Sequence, residues 1–308
     1  MENYHTPALL SECIEGLDIR PDGIYVDATF GGGGHSMAIL EKLTTGKLLA
    51  FDQDADAACN LPNDSRLIFV HHNFRYIRFF LRYHNIHRID GLLADLGVSS
   101  HHFDTEDRGF SIRHNALLDM RMNVQQSLRA VDVVNQYSED QLTRIFKLYG
   151  EVDRPWVLSK QIVKVRQQKN IETTDDLIAV VEEFLPQRFR NKELAKIFQA
   201  LRIEVNRELE ALEELLMQTK HIMNPHGRLV IISYHSLEDR MVKNFIKFGN
   251  VEGMAEKDFF GNVVAPYEAV NRKVIVPSEE EIARNPRVRS AKLRIAKRTV
   301  YDPTIEKY

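Results

Sequence analysis

The stretch Ile24-Tyr25-Val26-Asp27-Ala28-Thr29-Phe30-Gly31-Gly32-Gly33-Gly34-His35-Ser36 constrains this chain more than any other. A β-branched, apolar run stops at four consecutive glycines, and an apolar pattern at helical spacing (Met37, Ile39, Leu40, Leu43) follows at once. Strand, glycine turn and helix in immediate succession belong to α/β folds. A plain turn has no need of four glycines, since each loses more backbone freedom on folding than any other residue. A ligand accounts for them better. Glycine lets the backbone approach closely, and the free N–H groups of a helix start attract an anionic group.

The neighbouring sequence extends the pattern. Residues 7–17 read as a short helix, and Gly46–Asp52, Arg66–Val70 and Asp90–Gly97 read as strands, with an aromatic-rich helix (Ile77, Phe80, Leu81) before the last. This rhythm predicts an α/β fold: a doubly wound, Rossmann-like sheet whose ligand lies beyond the carboxyl ends of the strands. Asp52 and Asp95 fall at such ends. Asp52 stands nineteen positions after Gly33, close to the ~20 at which an acid meets ribose hydroxyls.

The rhythm then breaks, because the next convincing strand is Gly227–Tyr234. Helical signals fill the gap: a capping pair Ser138/Gln141, Pro155-Trp156, a second pair Thr173/Asp176, and a stripe from Leu194 to Leu216 within a helix over Glu193 to about Met223. The expected organisation is a discontinuous sheet domain over 1–105 and 213–308, interrupted by an all-α insertion over 106–212. A helix through Phe248 and final strands at Arg272–Val276 and Ala291–Ala296 complete it, the last alternating as a half-exposed strand should.

Hydrophobic residues make up 44% of the chain and charged residues 28%, which are the proportions of a soluble globular protein. No apolar run reaches the ~18 residues of a membrane span, and the polar start has no signal-peptide core. Cys13 and Cys59 follow no metal or redox spacing, so a reducing compartment, the cytoplasm, is expected, without a metal centre. The net charge of −3 hides a polarised distribution: seven basic residues and no acidic one lie between Arg284 and Val300. Arg287, Arg289, Lys292 and Arg294 are therefore expected on a phosphate-binding face.

The glycine stretch discriminates among cofactors. A dinucleotide fingerprint counted from Gly31 meets Ser36 where its third glycine belongs, and no Gly-Lys-Ser/Thr follows for a P-loop. S-adenosyl-L-methionine fits better. Its carboxylate can use the helix start, Asp52 can hold its ribose, and its sulfonium tolerates acids. These residues favour a methyl donor and leave a dinucleotide open.

Longer strings then carry a resemblance. Asp27–Gly31 with Gly33–Ser36, Asp95-Leu96-Gly97-Val98-Ser99-Ser100, Arg108-Gly109-Phe110-Ser111 and Leu118-Asp119-Met120-Arg121-Met122 resemble the bacterial cytosine-N4 ribosomal RNA methyltransferases. Phe198–Ile203, Ser236–Arg240 and Asn285–Arg294 continue the likeness, which runs in order from His5 to about Arg298. The resemblance implies S-adenosylmethionine-dependent methylation of a decoding-centre cytidine in 16S rRNA, with the helical insertion recognising substrate. It implies cofactor contacts at Gly33, Gly34, His35, Asp52, Phe74, Asp95 and His102, where the family usually carries Gln. The family's Pro-Ala-Thr-Arg is replaced here by Glu193-Leu194-Ala195-Lys196.

Asp95 and His235 or His102 are candidate acceptors of the amine proton, with cofactor binding favoured for Asp95 and a structural role the more common one for a lone histidine. Phe110 and Tyr234 are candidate stacking groups for the base. Arg108, Arg121 and Arg240 either meet RNA phosphate or close internal salt bridges. The expected partner is 16S rRNA, within the small ribosomal subunit, with no membrane and with a homodimer open. A non-catalytic, RNA-binding ribosome-assembly factor is the alternative class.

Overall fold

The computed structural model describes residues 7–97, 108–261 and 263–300. The chain forms two compact units, one running to Gly97 and resuming at Leu209, the other from Val98 to Glu208. In chain order, the first unit opens with α1 (Leu10–Leu17), β1 (Ile24–Asp27), α2 (Gly34–Lys42), β2 (Lys47–Asp52), β3 (Leu67–His71), α3 (Ile77–Tyr83) and β4 (Ile89–Asp95). The second holds α4 (Ala130–Gln136), α5 (Glu139–Leu148), α6 (Pro155–Arg166), α7 (Thr174–Val181) and α8 (Arg190–Asn206). The chain then continues through α9 (Glu208–Ile222), β5 (Met223–Ser233), α10 (Ser236–Phe248), β6 (Tyr267–Ala269), α11 (Glu279–Arg284) and β7 (Lys292–Arg298).

The seven strands form one sheet in the order β3-β2-β1-β4-β5-β7-β6. β3 through β5 run parallel, and β7 runs antiparallel to both its neighbours. Successive residues of a strand point to opposite faces, and the sequence supplies apolar groups for both. Val26, Leu49, Phe51, Leu92 and Ile231 pack with Ile77 and Leu81 of α3, Leu212 and Leu216 of α9, and Phe245 of α10. Tyr25, Leu48, Leu93 and Val230 pack on the other face with Cys13, Leu17, Ile39 and Leu40 from α1 and α2. Burial on both faces makes these strands near-continuous apolar runs, which is why they were legible. The sheet is doubly wound, as the rhythm of the sequence predicts.

Three expectations are corrected. The helix read over Glu193 to Met223 is two helices, α8 and α9, separated at Arg207 with φ 52°. The stripe is split with them: Leu194, Ile197, Phe198 and Leu201 lie in the core of the second unit, Leu212 and Leu216 in that of the sheet. Helical spacing persists across the break, so periodicity does not reveal it. The units accordingly divide at 97/98 and 208/209, where the sequence suggested 106 and 212. Arg272–Val276 is not a ladder strand but makes a single bridge, Ile275 to Leu293. β7 pairs instead with the short β6, so its alternating residues lie inside the sheet.

The second unit is held by a buried amide. Asn206 donates through Nδ2 to the carbonyls of Met120 and Arg202 (2.8 and 2.9 Å) and accepts from the Met122 N–H at 2.8 Å. It ties the Leu118–Met122 segment to the end of α8. Replacing Asn206 by alanine strands a buried donor and acceptor, and each is expected to cost about 1–3 kcal/mol. Denaturant unfolding of the variant should show that loss. Among the described residues no helix is long and apolar enough to cross a membrane.

Candidate active site

Register brings three carboxylates to one rim. Asp27, the last residue of β1, pairs with Ala50 on β2 and with Leu93 on β4. Asp52 and Asp95 therefore lie two residues further along the two flanking strands and bracket the loop that leaves β1. The chain turns to one side through β2 and β3 and crosses to the other with β4, so this rim is the switch point of the sheet, where α/β folds bind ligands.

The glycine loop is shaped around these acids. Gly31 has φ 52° and Gly33, the N-cap of α2, has φ 78°. Both values suit glycine, which has no Cβ to clash there. At Gly34 the constraint is space: a Cβ would stand 2.2 Å from Pro7 Cγ. Asp27 is fully buried, accepting from the Thr29 N–H at 3.0 Å and from Ser36 Oγ at 2.7 Å. Ser36, the residue that breaks a dinucleotide fingerprint, thus pins the first turn of α2 to the end of β1. Thr29 Oγ1 accepts from the Asp95 N–H at 2.7 Å and fixes the loop to β4. Asp27 and Ser36 as a structural pair were not singled out in the sequence; the short spacing between them was the available signal.

Asp52 accepts from the Gly31 N–H at 2.8 Å and the Asp54 N–H at 2.9 Å. Asn60 Nδ2 donates to the Gly31 carbonyl. Next to Asp52, Gln53 Oε1 accepts from Asn73 Nδ2 at 2.9 Å, and Asn73 also accepts from the Arg75 N–H. Phe74, half-buried between these last two residues, is thereby held beside the Asp52 end of the rim.

Asp95 sits at the other end. Its Oδ1 accepts from the Tyr234 hydroxyl at 2.9 Å, and its Oδ2 lies 4.0 Å from His35 Nδ1. His35 Nε2 is 3.0 Å from the Ala8 carbonyl and is assigned as the protonated nitrogen. In the neutral ring Nδ1 is then an acceptor, so two acceptors face each other across a gap that suits a donor. Burial pushes the Asp95 carboxyl up to about 6, with His35, when it is protonated, and the Tyr234 hydroxyl opposing the rise and Asp27 and Glu238 adding to it. Burial likewise raises Asp27.

The remaining candidates separate. His235 caps α10, with Nδ1 accepting from the Glu238 N–H and Nε2 3.2 Å from Glu238 Oε1; its side chain is 8% exposed. That is a structural post, not an open proton acceptor. Phe110 is buried in the core of the second unit and offers no face to a base. Arg108 donates to the carbonyls of Arg121 and Met122, while Arg121 pairs with Asp119 and donates to the Val124 and Gln126 carbonyls. Both arginines close internal networks. Lys292 and Arg294 share Asp239 at 3.6 and 2.6 Å. Part of the expected basic face is thus engaged in ion pairing inside the fold; Arg240, Arg287 and Arg289 are exposed. His102 lies outside the described residues.

The rim can be tested against the ligands it could take. Asp27, Asp52, Asp95 and Glu238 give it an acidic character that repels a diphosphate and favours a ligand bearing cations. The facing acceptors on His35 and Asp95 suit an ammonium, and Asp52 suits ribose hydroxyls. S-adenosylmethionine carries all three features. A doubly wound sheet with this acid-lined glycine cradle defines an S-adenosylmethionine-dependent methyltransferase.

Comparison with known proteins narrows the class. The sequence profile of the MraW methylase family matches residues 2–299, and the chain belongs to that family. It is 57% identical to the Ribosomal RNA small subunit methyltransferase H of Parabacteroides distasonis, over 96% of this chain and 97% of the relative. The protein of the same name from Flavobacterium johnsoniae is 54% identical, over 96% and 98%. A solved putative methyltransferase from Streptococcus mutans, in complex with SAH, aligns with TM-score 0.41 at 12% identity over 96% of this chain and 99% of that one.

Proposed function

We propose that this chain methylates the exocyclic N4 of a decoding-centre cytidine in 16S rRNA during maturation of the small ribosomal subunit, in the cytoplasm. The observation that carries the reading is end-to-end kinship with relatives named for small-subunit rRNA methylation, joined to an intact cofactor cradle. When bound, S-adenosylmethionine supplies an electrophilic methyl group on a sulfonium. Asp52 would hold the ribose, Phe74 would lie against the adenine side, and Gly33 and Gly34 would let backbone N–H groups reach the carboxylate.

His35 and Asp95 would hold the ammonium end. With one oxygen of Asp95 bonded to Tyr234 and the other facing His35, this carboxylate is assigned to the donor and not to the amine proton. The N4 lone pair is delocalised into the ring, so the amine is a poor nucleophile. Holding it in line converts an encounter into an effectively unimolecular step. Extrusion of the base from its surroundings would expose it to the rim. The second unit, Val98–Glu208, is assigned to substrate recognition.

A pH dependence follows. Asp95 titrates at about 6, and only its ionised form attracts the ammonium. Donor affinity should rise about tenfold between pH 5 and pH 7 and then level off, and Asp95→Asn should flatten the curve. Titration calorimetry across that range checks it. In the free protein the sign is opposite. The raised pKa makes the contribution of Asp95 to stability fullest below about pH 4, the unfolded value, and lost as pH rises through about 6.

The enzyme reading is tested by incubating the protein with methyl-labelled S-adenosylmethionine and undermethylated small subunits. Label in 16S rRNA supports it. RNA binding without transfer would favour the assembly-factor alternative.

A further inference from the structure

Helix α3 has a face that the cradle does not use. Ile77 and Leu81 point into the sheet core. On the opposite side Tyr76, Phe79 and Tyr83 are 47%, 64% and 72% exposed, with Arg78 and Arg82 exposed among them. Residues three or four apart are neighbours on a helix surface, so each ring borders a guanidinium or another ring.

These rings touch only near neighbours in sequence, Tyr76 (the N-cap of α3) meeting His72, Phe79 meeting Phe80 and Tyr83 meeting His84 edge-on, and their outer faces stay open to solvent. The charge around them is one-sided: residues 65–89 contain five arginines, four histidines and no acid. Arg75, at the inner edge, forks onto Glu214 of α9 through Nε at 2.7 Å and through Nη2. Arg78 and Arg82 form no ion pair with any carboxylate among the described residues. Arg78 and Arg82 alternating with exposed rings, with the nearby Glu214 already taken by Arg75, match a polyanion that also has flat faces. The face begins where β3 ends, at the carboxyl rim. β3 lies two strands from β1, about 10 Å at the usual strand spacing.

We propose that the outer face of α3 is a binding platform for single-stranded RNA: bases flanking the target stack on Phe79 and Tyr83, and Arg78 and Arg82 hold the phosphates. The proposal rests on the rRNA reading above for the identity of the strand. Base–aromatic stacking tolerates any sequence, because every base has a π-face. α3 thus contributes affinity and leaves the choice of cytidine to other parts of the protein.

Filter binding of a single-stranded 16S rRNA fragment and of undermethylated small subunits, over a range of salt, tests this with the full chain. Phe79→Ala and Tyr83→Ala should each weaken fragment binding about tenfold. Arg78→Gln with Arg82→Gln should lower the slope of log affinity against log salt by about 1.4, the value for two phosphates on a single strand. All four positions are exposed, and unchanged far-ultraviolet circular dichroism, thermal midpoint and donor affinity in the variants would place any loss at the RNA. Unchanged fragment affinity and slope would overturn the proposal. So would a loss confined to intact subunits, which would assign the face to a ribosomal protein. Because binding is the readout, RNA held through α3 without methyl transfer would remove the enzyme reading and leave this one standing.

Discussion

Replacing Asp52 by alanine should weaken S-adenosylmethionine binding by about a hundredfold to ten-thousandfold. A hydrogen bond to a charged group contributes about 1.5–3 kcal/mol, and the two hydroxyls of a ribose would lose one each. The same carboxylate accepts from the Gly31 and Asp54 N–H groups, so its removal also loosens the entry to the glycine turn. Asp52→Asn retains an acceptor oxygen but gives up the charge, and should fall between alanine and the parent. Calorimetric donor titration checks the order. Equal affinity in all three proteins would remove Asp52 from the site.

Placing a methyl group at Gly34 should be nearly as damaging by a different route. Its Cβ would stand 2.2 Å from Pro7 Cγ, and a proline ring cannot rotate out of the way as a flexible side chain can. The first turn of α2 or the segment at Pro7 must move. Overpacking of this kind costs about 1–3 kcal/mol, and a displacement near 1 Å at a reacting geometry costs about a hundredfold in rate. Gly34→Ala is therefore expected to lose stability and turnover together. Gly31→Ala is the informative control. It has a positive φ, 52°, but nothing within 4 Å of its Cβ, so it should show backbone strain without the steric term. Thermal unfolding and single-turnover rates on both variants separate the two effects.

What was legible in the sequence follows the physics of each part. Parallel strands buried on both faces are apolar runs, and they stood out from Ile24 to Asp95. The acids at the ends of β2 and β4 were placed by the same pattern, because register is set by which residues must be buried. The boundary after α8 was not legible. Arg207 adopts the left-handed conformation, in which a non-glycine residue is uncommon, while the apolar stripe carries on as though the helix were continuous. The basic tail is legible only as a count of charges: the pairing of Lys292 and Arg294 with Asp239, a residue more than fifty positions away, is a consequence of antiparallel packing beside α10. Arg121 and Arg108 were ambiguous because a guanidinium serves a phosphate and a carbonyl equally well. In the cradle, Ser36 was read only as a departure from another motif. Its bond to Asp27 gives it a positive role.

The most direct test of the account is the chemical identity of the methylated nucleoside. Undermethylated small subunits, treated with the protein and methyl-labelled S-adenosylmethionine, would be stripped to 16S rRNA, digested to nucleosides and resolved by mass spectrometry. The account predicts label in N4-methylcytidine, lost with Asp52→Ala. Label on a ring carbon, on a ribose hydroxyl or in protein, or none at all, would contradict it.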